Sequence, residues 1–266
     1  MGMKLEVKNI FFSYDDNRVI FDNISFEYQS PDVFCILGSN GTGKSTLLNC
    51  IIDELKINSG NILIDGVEVK DYNTRELARK IAYIPQNHYP TFPFPVIDIV
   101  MMGLTSKMGY LSNPGKKEKK IALEKLEFLN ISHLKDKPYT DISGGERQLV
   151  MIASALAQEP ELLILDEPTA HLDFGNQYRF IQLVKKFTES GMGVLMTTHF
   201  PDHALELNGV TSILKDGKMN CIGKAEEIIT DENLSNLYDI DVRVEEFKGK
   251  KICIPVELHE EFKQFI

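Results

Sequence analysis

The sequence predicts an α/β fold in which a mostly parallel sheet carries an antiparallel β subdomain and an inserted helical subdomain. Three observations predict it. The apolar run Val33-Phe34-Cys35-Ile36-Leu37 leads into the glycine-rich stretch Gly38-Ser39-Asn40-Gly41-Thr42-Gly43-Lys44-Ser45 and then Thr46-Leu47-Leu48, which reads as strand, loop and helix. Leu162-Leu163-Ile164-Leu165 and Gly193-Val194-Leu195-Met196 are short apolar runs of the kind found in strands buried on both faces. Residues 3–8 and 19–28 instead alternate polar and apolar, the pattern of antiparallel strands with one wet face.

The first of these stretches also carries chemistry. It fits G-x-x-x-x-G-K-[ST], a phosphate-binding loop. Its glycines let backbone N–H groups approach phosphate oxygens without a Cβ in the way, and the following helix adds its positive end. Lys44 is then expected against the β- and γ-phosphates, and the Ser45 hydroxyl in the shell of a Mg²⁺ ion.

At 266 residues, with 43% apolar side chains, the chain has material for one large domain or two small ones. The formal charge of −10 repels nucleic acid and anionic lipid, so no nucleic-acid partner is expected. Cys35, Cys50, Cys221 and Cys253 are scattered without a C-x-x-C pair and read as reduced thiols. The start Met1-Gly2-Met3-Lys4-Leu5-Glu6 lacks the apolar region of a secretory signal, and Glu6 stands where myristoylation wants Ser or Thr. No run approaches the roughly 18 apolar residues of a membrane span. A cytoplasmic location is therefore expected, with any span supplied by another chain.

Between the first two strands, Phe12-Ser13-Tyr14-Asp15-Asp16-Asn17 reads as a turn bearing a ring, and Tyr14 is either a core tyrosine or a surface on which a base stacks. Helices are expected over 46–52 and 75–80. Asp65-Gly66 marks a hairpin, with Val67-Glu68-Val69 as its second strand, and Ile81-Ala82-Tyr83-Ile84 a strand closed by Pro85 and followed by Gln86. Pro85, Pro90, Pro93 and Pro95 then punctuate an aromatic segment with Tyr89, Phe92 and Phe94, and helices are expected over 97–104 and 116–129. Lys116-Lys117-Glu118-Lys119-Lys120 reads as a solvated helix start, with a phosphate-binding patch as the alternative.

Ser143 followed by Glu146 is a capping box, and Leu149, Ile152, Ala153 and Leu156 continue the helical period. Ser143, Gly144 and Gly145 thus open either a well-capped helix or a second anion site that lacks a lysine. Asp166 and Glu167 follow a buried strand and are expected near the phosphate loop, one holding Mg²⁺ and the other polarising water. His199 ends another such strand. With His203 it superficially resembles a zinc pair, but Pro201 argues against one regular helix carrying both. Ser212-Ile213-Leu214 and residues 219–222 flank the hairpin Asp216-Gly217, and residues past about 240 read as a strand-rich tail around Ile252-Cys253-Ile254.

Taken together, residues 3–240 resemble the ATP-binding subunit of an ABC transporter, with a P-loop NTPase core. The resemblance implies an ABC ATPase domain over 1–240, made of core segments 1–87 and 159–240 with a helical subdomain at 88–158, and a short tail at 241–266. It implies that Gly38 to Ser45 and Thr46 are the Walker A loop, Asp166 the Walker B aspartate and Glu167 the catalytic glutamate. Gln86 matches the glutamine that touches Mg²⁺ and links to the membrane subunit, Tyr14 the aromatic that stacks on adenine, and His199 the histidine at the γ-phosphate. Ala170-His171-Leu172-Asp173 resembles the loop crossing the dimer interface. The signature has Ile142 and Glu146 where the family has Leu and Gln, both mild departures.

The resemblance further implies ATP and Mg²⁺ as ligands, and two chains paired head to tail so that Ser143, Gly144 and Gly145 of one close over the ATP held by Lys44 of the other. The implied assembly includes integral membrane permease subunits at the inner face of the cell membrane and, indirectly, an external substrate-binding protein. The stretches Pro85-Gln86-Asn87, Met102-Gly103-Leu104 and 167–177 look like the iron-siderophore, haem and cobalamin uptake subfamily, with molybdate importers much alike. Residues 89–95 lie where such subunits receive a permease helix, unless Phe92 and Phe94 merely fill a core. A soluble ATP-dependent assembly scaffold is the alternative function.

Overall fold

The computed structural model describes residues 2–15, 18–86, 92–109 and 113–258. The first elements are β1 (Lys4–Ser13), β2 (Val19–Gln29), β3 (Val33–Leu37), α1 (Lys44–Ile51), β4 (Ser59–Ile64), β5 (Val67–Glu68), α2 (Thr74–Lys80) and β6 (Ile81–Ile84). A helical stretch follows with α3 (Val96–Met102), α4 (Lys116–Phe128) and α5 (Gly144–Ala157). The chain returns to α/β alternation in β7 (Leu162–Leu165), α6 (Phe174–Glu189), β8 (Gly193–Thr198), α7 (Pro201–Leu207), β9 (Val210–Lys215) and β10 (Lys218–Lys224). The last elements described are α8 (Ala225–Ile228), α9 (Asp231–Tyr238) and the hairpin β11 (Ile240–Phe247) and β12 (Lys250–Leu258).

The central sheet has the order β10-β9-β3-β8-β7-β6, parallel except where β10 joins β9. Its inner strands are buried residue by residue, and the period of two divides them between two cores. Val33, Cys35, Leu37, Leu163, Leu165, Val194 and Met196 join the core under the helices α3 to α7. Phe34, Ile36, Leu162, Ile164 and Leu195 join the one shared with α1 and the antiparallel sheet. Each such side chain contributes about 1.5–3 kcal/mol. The apolar runs can therefore hold polar residues at their ends in a buried setting, provided those residues find partners.

The antiparallel sheet, β2-β1-β4-β5, corrects the reading of the first strand. β1 runs on through Phe12 and Ser13, which had been assigned to a turn; Asp16 and Asn17 lie outside the described residues. The alternation broke at residue 8 because Asn9 has φ 48° and forms a bulge, shifting the pairing between Val7 and Ile10. Opposite it sits Gly60, where a Cβ would lie 2.5 Å from the Asn9 carbonyl oxygen, so the bulge needs a glycine on the neighbouring strand.

Other boundaries move for equally local reasons. α1 begins at Lys44, two residues early, because its cap is Gly43 at φ 97° and no side chain announces it. The helix expected over 97–104 ends at Met102 and tightens into a 3₁₀ segment, Gly103–Lys107. Val69 belongs to a 3₁₀ turn rather than to β5. The tail is strand-rich as far as Leu258, and residues 259–266 lie outside the described residues. Among the described residues no helix is long and apolar enough to cross a membrane.

Candidate active site

Parallel pairing sets the carboxyl ends of four neighbouring strands side by side, with Leu37 opposite Thr198, Leu165 opposite Met196 and Ile84 opposite Leu165. The loop after β3 supplies Gly38 to Gly43, β6 leads to Gln86, β7 to Asp166 and Glu167, and β8 to Thr197, Thr198 and His199. Residues far apart in sequence thus meet at one edge of the sheet.

Lys44 is the buried centre of the group, 4% exposed. Its ammonium donates to the carbonyls of Gly38 at 2.7 Å and Ser39 at 2.9 Å, and pairs with Glu167 Oε1 at 2.8 Å. Three donors thus meet three acceptors, which is what a lysine at this depth requires. On the other carboxylate oxygen of Glu167, Gln86 Nε2 donates at 3.2 Å and His199 Nδ1 lies at 2.9 Å. Burial pushes the Glu167 carboxyl up, but the hydrogen bond and charge of Lys44, with His199, outweigh it and hold the group below the usual glutamate value. Glu167 also sits at φ 44°, an uncommon backbone for a non-glycine residue and one that turns its side chain across the strand ends.

Asp166, 3% exposed, accepts from Thr197 Oγ1 at 2.7 Å, and the same hydroxyl accepts from the Glu167 N–H at 2.9 Å. Thr197 therefore fixes both acids at once. Tyr83 stands 3.5 Å from the second oxygen of Asp166, its phenol pushed up by burial and then by that carboxylate. Neither residue was singled out from the sequence, although two threonines ending a strand buried on both faces were a visible anomaly.

Ser45 and Thr46 lie in the first turn of α1. The Ser45 hydroxyl makes no hydrogen bond to another described residue, while Thr46 Oγ1 lies 3.3 Å from the Tyr14 hydroxyl. Tyr14 is 53% exposed, so it is no core tyrosine. Its ring meets the edge of Phe12 at 5.0 Å, and the Arg18 guanidinium lies 5.7 Å from its centroid. Asn40 and Gly41 are exposed at the tip of the loop, and Thr42 Oγ1 donates to the Ser39 carbonyl at 3.0 Å.

Ser143, Gly144 and Gly145 are placed apart from this cluster. Among the described residues no hydrogen bond or ion pair joins them to residues 38–46. Ser143 forms the capping box of α5, its N–H donating to Glu146 Oε2 at 2.8 Å. With Gly145, Leu172 and Asp173 it lines a cleft of about 750 Å³ whose walls do not include the phosphate loop. Asp173 accepts from the Asn176 N–H at 2.8 Å as the cap of α6. Gln177 Nε2 braces the loop before it, donating to the carbonyls of Thr169 at 3.3 Å and Leu172 at 3.1 Å.

Pro201 opens α7, so His199 precedes that helix and His203 lies within it. No group of three or more His, Cys, Asp or Glu able to hold a metal occurs among the described residues. His203 Nδ1 instead faces the hydroxyls of Thr169 at 3.3 Å and Thr198 at 3.4 Å. Burial, with the nearby His199, pushes His203 down to about 4. The unfolded imidazole takes up a proton near 6.5, so the stability gained by keeping His203 neutral is complete above that pH and is lost as pH falls toward 4. His203→Gln is expected to remove about 2 kcal/mol of the drop in unfolding free energy between pH 7 and pH 5, measured by urea titration at both.

A buried lysine in a glycine-rich loop, paired with a glutamate that also meets a histidine, beside a buried aspartate at the ends of parallel strands, defines a nucleoside triphosphatase. The family model described as "ABC transporter" matches residues 21–170, and the chain belongs to that family of ATPases. It is 37% identical over 89% of its length, and 93% of the relative, to a Helicobacter pylori protein assigned to iron chelatin transport as its ATP-binding component. It is 32% identical, over 90% of each chain, to the molybdate import ATP-binding protein MolC of Haemophilus influenzae. Among solved structures, a chain of an inward-facing ABC transporter described as of metal-chelate type superposes with a TM-score of 0.84 at 30% identity, covering 98% of this chain and 99% of that one.

Proposed function

We propose that this chain energises import of an iron chelate, haem, cobalamin or related metal complex, hydrolysing ATP as a homodimer beneath a membrane permease. The observation that carries the reading is the Lys44–Glu167–His199 contact, which gathers a phosphate ligand, a general base and a γ-phosphate partner at one point. The substrate class rests on likeness to the iron chelatin and metal-chelate proteins; the molybdate relative marks the alternative cargo.

In the reaction, Lys44 exchanges Glu167 for the β- and γ-phosphates. Glu167, released, accepts a proton from water as the water oxygen bonds to the γ-phosphorus and the bond to the bridging oxygen breaks, leaving ADP and phosphate. His199 orients the carboxylate and contacts the γ-phosphate; Tyr14 stacks on adenine. The residues present suit Mg²⁺: the Ser45 hydroxyl, which has no hydrogen-bond partner among the described residues, the buried Asp166 carboxylate and Gln86 form a sparse oxygen set for a cation that keeps most of its water. When bound, Mg²⁺ would neutralise charge developing on the phosphates. Ser143, Gly144 and Gly145 of the second chain complete each site, with Asp173 at the seam, and residues 88–158 act as the helical subdomain that turns closure into movement of the permease.

Phe92 and Phe94, 62% and 44% exposed with rings 5.9 Å apart, are the proposed contact for the permease; Tyr89 and Pro90 lie outside the described residues. Affinity purification of the chain from its membranes is expected to bring down a polytopic permease. Replacing both phenylalanines by serine is expected to abolish that recovery while soluble ATPase activity persists. Recovery of soluble partners alone would favour the assembly scaffold. If a binding protein accompanies the permease, titrating it with ferric siderophore, haem, cobalamin and molybdate assigns the cargo.

A further inference from the structure

The last described helix reaches back to both sides of the nucleotide site. The Leu237 carbonyl accepts from Ser39 Oγ at 3.2 Å, and the Tyr238 hydroxyl donates to the His199 carbonyl at 2.7 Å. That carbonyl lies just past the end of β8 and just before Pro201 opens α7, where neither the sheet ladder nor the helix holds it. The adjoining Phe200 N–H turns aside to Thr198 Oγ1 at 3.0 Å. α9 itself is fixed: Lys215 on β9 pairs with Asp239 at 2.8 Å, and Asp239 closes the helix at φ 56°. The hairpin adds a third tie, Cys253 N–H donating to Asp202 Oδ1 at 3.1 Å in the first turn of α7. Burial pushes the Tyr238 phenol well above its ordinary value, so its hydroxyl stays a donor at any working pH.

We infer that Tyr238 is a positioning residue for hydrolysis: its hydroxyl fixes the backbone of His199 so that the imidazole meets Glu167. The inference rests on the proposed role of His199. A side chain held only by its own rotamer would sample several directions, whereas the carbonyl tie sets where its Cα begins. Tyr238 makes no hydrogen bond to the phosphate loop itself, so its loss is expected to act on turnover more than on nucleotide binding.

Tyr238→Phe keeps the ring and deletes only the donor. It is expected to lower kcat for ATP about tenfold, the value of one hydrogen bond, with the Kd for a fluorescent ATP analogue changed by less than about twofold and Tm lowered by about 2–4 °C for the bond lost. Added to His199→Ala, it is expected to cost less than about twofold further, because it acts through that histidine. Parent kcat in Tyr238→Phe with a slow His199→Ala overturns the positioning role and leaves the role of His199 intact. Parent kcat in His199→Ala overturns both. An undiminished effect of Tyr238→Phe in the double variant shows a purely structural brace and overturns the positioning role.

Discussion

Glu167→Gln is expected to bind ATP as the parent does and to hydrolyse it about a hundredfold or more slowly, the usual worth of a positioned general base. The exchange is nearly isosteric, and Lys44 keeps the carbonyls of Gly38 and Ser39. What disappears is the carboxylate that pairs with Lys44 of the phosphate loop and is placed to take a proton from water. Asp166 is not placed to replace it: its oxygens face Thr197 at 2.7 Å and Tyr83 at 3.5 Å rather than Lys44. With hydrolysis blocked, ATP stays bound, so a dimer held together by nucleotide is expected to accumulate. Size-exclusion chromatography with ATP and Mg²⁺ would show it, and radiolabelled phosphate release would measure the rate. Turnover at the parent level would remove Glu167 from the role of base.

The residues of this site differ in how far the sequence exposes them. Lys44 stands in the glycine-rich loop behind one apolar run, and Asp166, Glu167 and His199 at or just past the ends of others; such runs are legible because a strand buried on both faces is mostly apolar. Their convergence follows from parallel strand order. Thr197, Tyr83 and Tyr238 act through hydroxyl contacts to groups 30 or 31, 83 and 39 residues away, and no periodicity encodes such pairings. The bulge at Asn9 was hidden for a related reason: it inverts the alternation that identifies a strand, and its cause, Gly60, lies on another strand. Ser143, Gly144 and Gly145 show the opposite limit. Their capping box is plain in the sequence and present in the fold, yet among the described residues of one chain no hydrogen bond or ion pair joins them to residues 38–46.

Lys44→Ala is expected to abolish measurable ATP binding and also to destabilise the empty protein. Glu167 is 7% exposed, and removing its cation leaves a buried charge whose remaining partners among the described residues are His199 and the Gln86 amide. Breaking a buried pair from one side costs about 3 kcal/mol or more. The pH dependence carries the sharper test. In the parent, Lys44 holds the Glu167 carboxyl below the unfolded value of 4.5. Its contribution is complete above 4.5 and is lost as pH falls through the folded pKa. Without Lys44, burial, the largest of the causes, is opposed only by His199, so the folded carboxyl is expected to titrate higher than the unfolded one and the variant to lose stability as pH rises above 4.5. The sign of the slope reverses between the two proteins. Urea unfolding midpoints from pH 4 to pH 7 would show it. Adding Glu167→Gln to Lys44→Ala removes the stranded charge, and the double variant is expected to recover most of the lost stability while still failing to bind ATP. If the double variant is no more stable than Lys44→Ala, the lysine serves the fold through the carbonyls of Gly38 and Ser39 rather than through the ion pair.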